Sequence, residues 1–304
     1  MNRKRILTKS LDKKQRISEI DLLRGIPIFL VVLYHFCWSF TEVLSIFSNT
    51  SEMFLKYPNL RDFDIFLNHD ILSNNLIHTF IIPAIGGLFI FVSGMSSIFT
   101  RSNKRRALLL WATAIAISLG TLAVTYIAKD DCYIDWGVIH LIAFSVTLYA
   151  IIDFFFHHNT PIWLCLLVAG CIFLVSICTS AGFNPFTFKE FTPWGTTFVD
   201  ASLLPIERYK ADPWTFFLEA LGKYGGWIDW WGIFPFTGVF FMGVACGKYF
   251  YGDNKKTKFP KMDSLYIFRP LCFVGKHTIW VYILHQPIIV VVLFIVFVSM
   301  GFKL

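Results

Sequence analysis

The chain has 304 residues, of which 56% are hydrophobic and only 15% are charged, and its formal net charge is +7. Soluble domains carry about 25% charged residues, so this deficit excludes an ordinary soluble domain and indicates a membrane protein. The basic residues lie between apolar runs, which favours a role in membrane orientation over nucleic-acid binding.

Seven apolar runs follow one another along the chain, and each is long enough to cross a bilayer as a helix. They cover approximately residues 20–43, 76–99, 106–127, 136–156, 161–180, 230–250 and 274–300. We therefore predict an all-α fold, a polytopic membrane helix bundle of about seven transmembrane spans.

The lysines and arginines of the connections predict the orientation of these spans. Seven precede the first span, four occur in the RSNKRR connection after the second, and five lie between the sixth and the seventh. Positive residues favour the cytoplasmic side, so the amino terminus is predicted inside and the carboxyl terminus outside. The predicted organisation is a basic cytoplasmic segment, residues 1–18, followed by a single transmembrane domain, residues 19–304.

Two predicted outer segments are more than plain turns. Residues 45–75 and 181–229 are long, aromatic and proline-bearing. Aromatic side chains favour the membrane interface, so we expect short helices that lie at the outer surface.

The seven cysteines are odd in number and lie mostly within apolar runs. They form no C-x-x-C pair, so neither a disulfide framework nor a zinc site is indicated. We expect them to pack as small apolar side chains, and we predict no metal.

One face of the first span carries polar side chains along nearly its whole length. The residues within roughly 40° of His35 on a helical wheel are Asp21, Arg24, Ile28, Ser39 and Glu42. Lipid cannot satisfy such groups, so this stripe is predicted to face protein or water. By helix rise, His35 lies about 22 Å from the cytoplasmic boundary, in the outer leaflet. Ionisable residues at such depth are functional candidates by default.

Two further histidines are predicted inside the bilayer. His140 lies near the outer end of the fourth span, at nearly the depth of His35, and His285 lies near the midplane of the seventh, before Pro287. Each ring has a structural alternative, which is a hydrogen bond between helices or support of the proline kink. An interfacial position is favoured for the histidines near span ends, His69, His78, His157, His158 and His277.

Five stretches resemble one family of membrane enzymes, in the family's order. They are RISEIDLLRGIPIFLVVLYHF, FIFVSGMSSIFTR, WGVIHLIAFS, DWWGIFPFTGVFFMGVACGKYFYG and GKHTIWVYILHQPII. Together they resemble the bacterial branch of the heparan-α-glucosaminide N-acetyltransferase catalytic-domain family, within a wider group of transmembrane acyltransferases. The resemblance implies transfer of an acetyl group from cytoplasmic acetyl-CoA to the nitrogen or oxygen of a sugar on the far side of the membrane.

Histidine suits this chemistry, because acetyl transfer from a thioester needs a base that titrates near neutrality. We expect His35 to act as general base or acetyl-accepting nucleophile, with His140 and His285 polarising or orienting it. In the animal lysosomal branch, asparagine matches His35 and glutamine matches His140, whereas the His285 position is shared. The catalytic histidine proposed for that branch lies in the loop before the second span, where this chain has His69 and His78.

The expected binding residues lie at both ends of the spans. The CoA phosphates need cations at the cytoplasmic face, where we expect Arg24 and Arg16 to hold them. Asp135, Asp229 and Glu42 are expected partners of the sugar or of the histidines. The resemblance therefore implies acetyl-CoA as donor and a sugar or glycolipid as acceptor, in the inner membrane of the cell. It implies no nucleic-acid partner, and a homodimer is left open.

Two other functional classes stay open. A proton-coupled transporter also places histidine and carboxylates in a stripe across the bilayer, although the paired repeats that often accompany it are not visible. A bis-histidine haem protein places two histidines at equal depth on separate helices, as is predicted for His35 and His140.

Overall fold

Helices make up the architecture, as predicted. The computed structural model describes residues 17–128, 133–180, 229, 231–252 and 265–304, and this part of the chain contains no strand. The α-helices are α1 (Ser18–Ser45), α2 (Thr50–Lys56), α3 (Pro58–Phe66), α4 (Ile82–Ser96), α5 (Asn103–Ala128), α6 (Val138–Phe155), α7 (Ile162–Ser180), α8 (Ile233–Tyr251), α9 (Arg269–Lys276) and α10 (Thr278–Met300). Two π-helical turns, Leu67–Leu72 and Ile77–Ile81, connect α3 to α4, and a 3-10 turn, Ser97–Phe99, follows α4.

Six helical segments of the described chain are long and apolar enough to cross a membrane. They are Ser18–Ser45, Thr79–Phe99, Asn103–Ile127, Val138–Phe155, Ile233–Tyr251 and Thr278–Met300. The fifth predicted span is α7, whose apolar stretch, Ile162–Ile177, is shorter. Its full length of 19 residues still extends about 28 Å, close to the thickness of the hydrocarbon core.

The first and last spans run parallel. The Ser48 amide donates to the carbonyl oxygen of Lys303 at 2.9 Å, so the end of α1 lies beside the end of α10. The Asn49 side chain also donates to the Gly301 carbonyl at 3.2 Å. Parallel first and last spans agree with the odd number of crossings predicted from the sequence, in which α7 crosses together with the six longer segments.

Large apolar side chains face outward along several of these helices. Ile127 is 83% exposed on α5, Phe155 is 72% exposed on α6, and Trp163 is 61% exposed on α7. Apolar surface of this extent is unfavourable in water but is solvated by lipid tails. The distribution of apolar side chains therefore agrees with a bundle in a bilayer.

Small residues let α4 and α8 approach closely. A Cβ at Gly94 would overlap the carbonyl oxygen of Phe240, and one at Gly243 would overlap that of Phe91. A Cβ at Gly87, in contrast, would have no neighbour within 4 Å among the described residues. Gly87 therefore lies outside the α4–α8 interface.

The seventh predicted span, residues 274–300, is interrupted. Its first residues belong to α9, and the chain bends at His277 before α10 begins. The helix α9 packs tightly on the start of α1, since a Cβ at Gly275 would overlap the carbonyl oxygen of Asp21. We call this end of the bundle, where α1 begins, the N-terminal face.

The outer segment predicted at residues 45–75 contains the short helices α2 and α3, as expected. Of the other predicted outer segment, residues 181–229, the structure describes only Asp229. Of the basic segment, residues 1–18, only the last two residues are described, so Arg16 lies outside the described part of the chain.

Candidate active site

The first and last spans bring two histidines into contact. The imidazole rings of His35 on α1 and His285 on α10 lie edge to face, with centroids 5.0 Å apart and planes at 81°. Counting residues from the predicted boundaries placed the two rings at different depths and did not predict their contact. It assumed upright helices and an unbroken seventh span, whereas helices tilt and α10 begins only after the bend at His277.

The hydrogen bonds of His285 determine its tautomer. Its Nδ1 lies 2.7 Å from the carbonyl oxygen of Tyr282 and 3.1 Å from that of Val281. A carbonyl oxygen can only accept, so Nδ1 carries the proton and Nε2 carries a lone pair. This Nε2 is buried and has no hydrogen-bond partner among the described residues. An unpaired buried acceptor of this kind points to a donor supplied by a ligand or water.

Gln286 adds a second unpaired acceptor beside the histidines. Its side-chain nitrogen donates to the Ser39 hydroxyl at 2.9 Å, and Ser39 is fully buried between α1 and α10. Its oxygen Oε1 is buried without a partner in the described part of the chain. Ser39 belongs to the polar stripe predicted on the first span, so part of that stripe faces protein as expected. Gln286 was not predicted, and its only signal is its place in the HQP sequence after His285.

Asp229 ties α10 to the start of α6. Its Oδ2 accepts a hydrogen bond from the Tyr282 hydroxyl and one of 3.3 Å from the Val138 amide. Burial raises the pKa of the Asp229 carboxyl to about 6, although these hydrogen bonds oppose the shift. Its backbone is left-handed, with φ of 59°, a conformation that non-glycine residues adopt rarely. Tyr282 lies one turn before His285, so α10 links Asp229 to the histidine pair.

His140 uses both ring nitrogens in local hydrogen bonds. The Gly137 amide donates to Nδ1 at 3.2 Å, so Nδ1 carries a lone pair. The other nitrogen, Nε2, lies 3.1 Å from the Ser118 hydroxyl, which itself donates to the carbonyl oxygen of Ile134. His140 therefore holds the start of α6 against α5, with its ring 5.7 Å from that of Trp136.

The two remaining predicted carboxylates lie in different surroundings. Asp135 is buried, and its Oδ1 accepts a hydrogen bond of 2.7 Å from the amide of Trp136, close to His140 along the chain. Glu42 is exposed, about one turn beyond Ser39 on α1. Asp135 therefore lies just before the start of α6, and Glu42 lies at the surface end of the polar stripe.

The predicted donor-side residue Arg24 lies at the N-terminal face. Its Nε donates to the Ser96 hydroxyl at 2.9 Å, and one terminal nitrogen lies 3.9 Å from Asp21. Arg106, on the first turn of α5, donates to the hydroxyls of Ser93 and Ser97 at 2.6 and 2.8 Å. Arg106 was interpreted from sequence as an orientation signal only, because it lies among three other basic residues.

The histidines near span ends differ from the central pair. His69 is exposed and contacts the neighbouring Asp70 at 3.2 Å, and His158 is exposed and contacts Asp153 at 3.0 Å. The side chain of His78 lies outside the described part of the structure. The interfacial interpretation of His69 and His158 agrees with these positions.

Comparison with known proteins assigns the chain to a family. The family model described as "Heparan-alpha-glucosaminide N-acetyltransferase, catalytic" matches residues 16–68 and 53–287. Searches of curated proteins and of solved structures found no significant match. The matched region contains α1 and the first part of α10, and so includes both histidines of the central pair.

Proposed function

Because the chain belongs to the heparan-α-glucosaminide N-acetyltransferase catalytic family, it is a membrane acetyltransferase, and we propose that it acetylates a sugar with acetyl-CoA. The donor would bind from the cytoplasm, and the acceptor would be an amino group or hydroxyl of a glycan or glycolipid beyond the inner membrane. The observation that carries the proposed site is the buried lone pair on His285 Nε2, which has no partner among the residues that the structure describes.

We place the catalytic base at the His35–His285 pair. His285 Nε2 would take the proton of the acceptor as its nitrogen or oxygen attacks the thioester carbonyl carbon. The tetrahedral intermediate then collapses, the C–S bond breaks, and the CoA thiolate receives the proton. The sequence favoured His35 as base. The structure supports His285 instead, because its tautomer leaves Nε2 free to accept, and His35 then orients it from an adjacent helix.

Tyr282 and Asp229 would hold His285 in this geometry. The Tyr282 carbonyl accepts the Nδ1 proton, while the Tyr282 hydroxyl is anchored on the Asp229 carboxylate. An enzyme gains most from a base whose tautomer and position are set before the substrate arrives. Asp229 is therefore proposed as a positioning residue. Glu42 is proposed to contact the acceptor, since it is exposed at the end of the same polar stripe.

On the donor side, Arg24 is proposed to bind CoA phosphate. It lies 11 positions before His35 on α1, about 17 Å along the helix. The extended pantetheine arm of CoA would cover this separation, so that phosphates at the N-terminal face and a thioester at the histidine pair belong to one bound molecule.

The haem alternative is not favoured. Ligation of iron by His140 needs a free ring nitrogen, whereas the Gly137 amide and the Ser118 hydroxyl occupy both. A purified sample that shows a Soret band would reverse this judgement.

A direct test supplies labelled acetyl-CoA to inside-out membrane vesicles that contain the protein. We expect label in a glycan or glycolipid of the vesicle lumen with the wild-type chain, and none with His285→Asn. His277→Asn is the matched control, because His277 is an exposed histidine at the N-terminal face, and it should transfer normally. Wild-type vesicles that bind acetyl-CoA but acetylate no lumenal component would overturn the proposal.

A further inference from the structure

Among the described residues, the Arg106 guanidinium donates hydrogen bonds only to neutral groups. One terminal nitrogen donates to the Ser97 hydroxyl at 2.8 Å, and the other donates to the hydroxyl and the carbonyl oxygen of Ser93 at 2.6 and 3.1 Å. No carboxylate of the described residues forms an ion pair with it. Its side chain is only partly exposed. A cation withdrawn from water without a counter-charge is unfavourable, so this position favours an anion as its missing partner.

A second guanidinium is held on the same turn of α4. Arg24 donates to the Ser96 hydroxyl, and Ser96 lies between the two serines that contact Arg106. Because both guanidiniums bond to serines within about one helical turn, their like charges repel each other. An anion between them would remove this repulsion. Two planar guanidinium groups, each with several N–H donors, match the oxygens of a phosphate or diphosphate better than they match a single carboxylate.

Another buried polar atom lies beside this cluster. The Asn103 side chain donates to the Ser97 carbonyl at 3.2 Å, and its Oδ1 is buried without a partner in the described part of the chain. A buried polar atom that lacks a partner is rare in folded proteins and indicates a group that completes the site. A bound ligand with both phosphate oxygens and hydroxyl or N–H donors would satisfy Asn103 as well as the arginines.

The neighbours of Arg106 do not share its surroundings. Arg101, Lys104 and Arg105 are exposed, and the Lys104 ammonium lies over the Phe154 ring at 4.5 Å. All four residues satisfy the rule that basic residues stay on the cytoplasmic side. Of these four residues, only Arg106 donates hydrogen bonds to the hydroxyls of Ser93 and Ser97. Membrane orientation alone therefore does not explain Arg106.

We propose that Arg106 and Arg24 form a two-guanidinium site that binds the phosphate groups of the acyl donor. The inference rests on the proposed function for the identity of the donor, and it adds Arg106 and the serines of α4 to its binding site. A phosphate could also come from an anionic lipid headgroup at the same membrane surface, so the test separates the two sources.

The test compares Arg106→Gln with Arg105→Gln in nanodiscs of neutral lipid. Both variants lose one positive charge from the same turn, but Arg105 is exposed and lies outside the serine cluster. Calorimetric titration with CoA should give about 10- to 100-fold weaker binding for Arg106→Gln, because hydrogen bonds to charged groups contribute about 1.5–3 kcal/mol. Arg105→Gln should bind CoA like the wild type. Pantetheine, which lacks the phosphates, should bind Arg106→Gln and wild type equally.

Two further measurements can contradict the proposed phosphate site. Arg106→Lys keeps the positive charge but loses the planar guanidinium, so it should fold and bind CoA with an intermediate affinity. The site would be contradicted if Arg106→Lys bound CoA with wild-type affinity and Arg24→Gln also bound it normally. A parallel titration in nanodiscs with phosphatidylglycerol tests the lipid source. If Arg106 affects retention of anionic lipid but not CoA affinity, the site binds lipid and the proposal is overturned.

The failure of the proposed function gives a different result. Wild-type protein that binds CoA in an Arg106-dependent manner but transfers no acetyl group would support the phosphate site and refute the acetyltransfer reaction. Conversely, normal acetyl transfer with the same KM for acetyl-CoA in Arg106→Gln and Arg105→Gln would refute the site and leave the function intact.

Discussion

The ring of His35 meets the ring of His285 edge to face, at a centroid separation of 5.0 Å. The contact joins the first and the last membrane-spanning helices, and it involves the His285 ring whose buried Nε2 has no partner in the described part of the chain. Two imidazoles in contact inside a bundle are unfavourable as a doubly charged pair. The pair is therefore suited to hold one proton at a time, as a base does during acetyl transfer.

Substitution of the two histidines should separate their roles. His285→Asn removes the free lone pair, so kcat for acetyl transfer should fall about 10²- to 10⁴-fold, the usual contribution of a general base. His35→Asn should cost less, because the substitution leaves the Nδ1 hydrogen bonds of His285 in place. Acetyl-CoA affinity should be unchanged in both variants. A larger loss of kcat in His35→Asn than in His285→Asn would assign the base to His35.

The Tyr282 hydroxyl should matter for both stability and rate. Tyr282→Phe removes the hydroxyl that donates to the Asp229 carboxylate and leaves that carboxylate under-satisfied, at a cost of about 1–3 kcal/mol in the free energy of unfolding. We expect a lower melting temperature in detergent and a lower kcat with little change in KM. An unchanged melting temperature would show that the Tyr282–Asp229 contact does not anchor α10.

The pH dependence of stability should reflect the raised pKa of Asp229. Its pKa in the fold is about 6 against an ordinary value of 3.8. A raised carboxyl pKa means that its contribution to stability is fully present below about pH 4 and is lost as pH rises through 6. The side chain of Asp229→Asn cannot ionise. Between pH 4 and 6, the melting temperature of the wild type should therefore fall relative to that of this variant. Above pH 6, the difference between the two melting temperatures should stay constant. A constant difference across that range would contradict the raised pKa.

Alanine at two glycines of α4 should have opposite outcomes. Gly94→Ala places a Cβ on the carbonyl oxygen of Phe240 and should cost about 1–3 kcal/mol, the usual penalty of overpacking. Gly87→Ala meets no atom within 4 Å and should be neutral or slightly stabilising, because alanine favours helix. Melting temperatures of the two variants measure the difference. Equal destabilisation would contradict the observed α4–α8 interface.

Labelling with a membrane-impermeant maleimide should test the crossings. Cysteine placed at Lys303, near the end of α10, should label from outside, and cysteine placed at Arg105 should label only after permeabilisation. Both side chains are exposed, so access depends on sidedness rather than burial. Labelling of both positions from one side of intact cells would exclude the predicted orientation.

Several properties could be predicted from local sequence alone. Apolar runs predicted the helical bundle and its approximate boundaries, because helix formation in lipid depends on the residues within one segment. The stripe on the first span identified Arg24, His35 and Ser39 by helical periodicity, and Ser39 is buried between α1 and α10. Residue counting along the seventh span identified His285, and acidic character at the end of an outer segment identified Asp229 as a candidate partner. The family match confirms the family resemblance.

Other properties depended on contacts between distant segments. Residue counting could not show that His35 meets His285, because tilt and the bend at His277 set the relative height of the two spans. It also could not separate Arg106 from Arg105, since only the rotation of α5 against α4 buries one guanidinium and leaves the other in solvent. The sequence by itself determined the helical class and the approximate position of the apolar helices, through their composition. Only the tertiary structure decided which polar side chains meet, because that depends on how the helices pack.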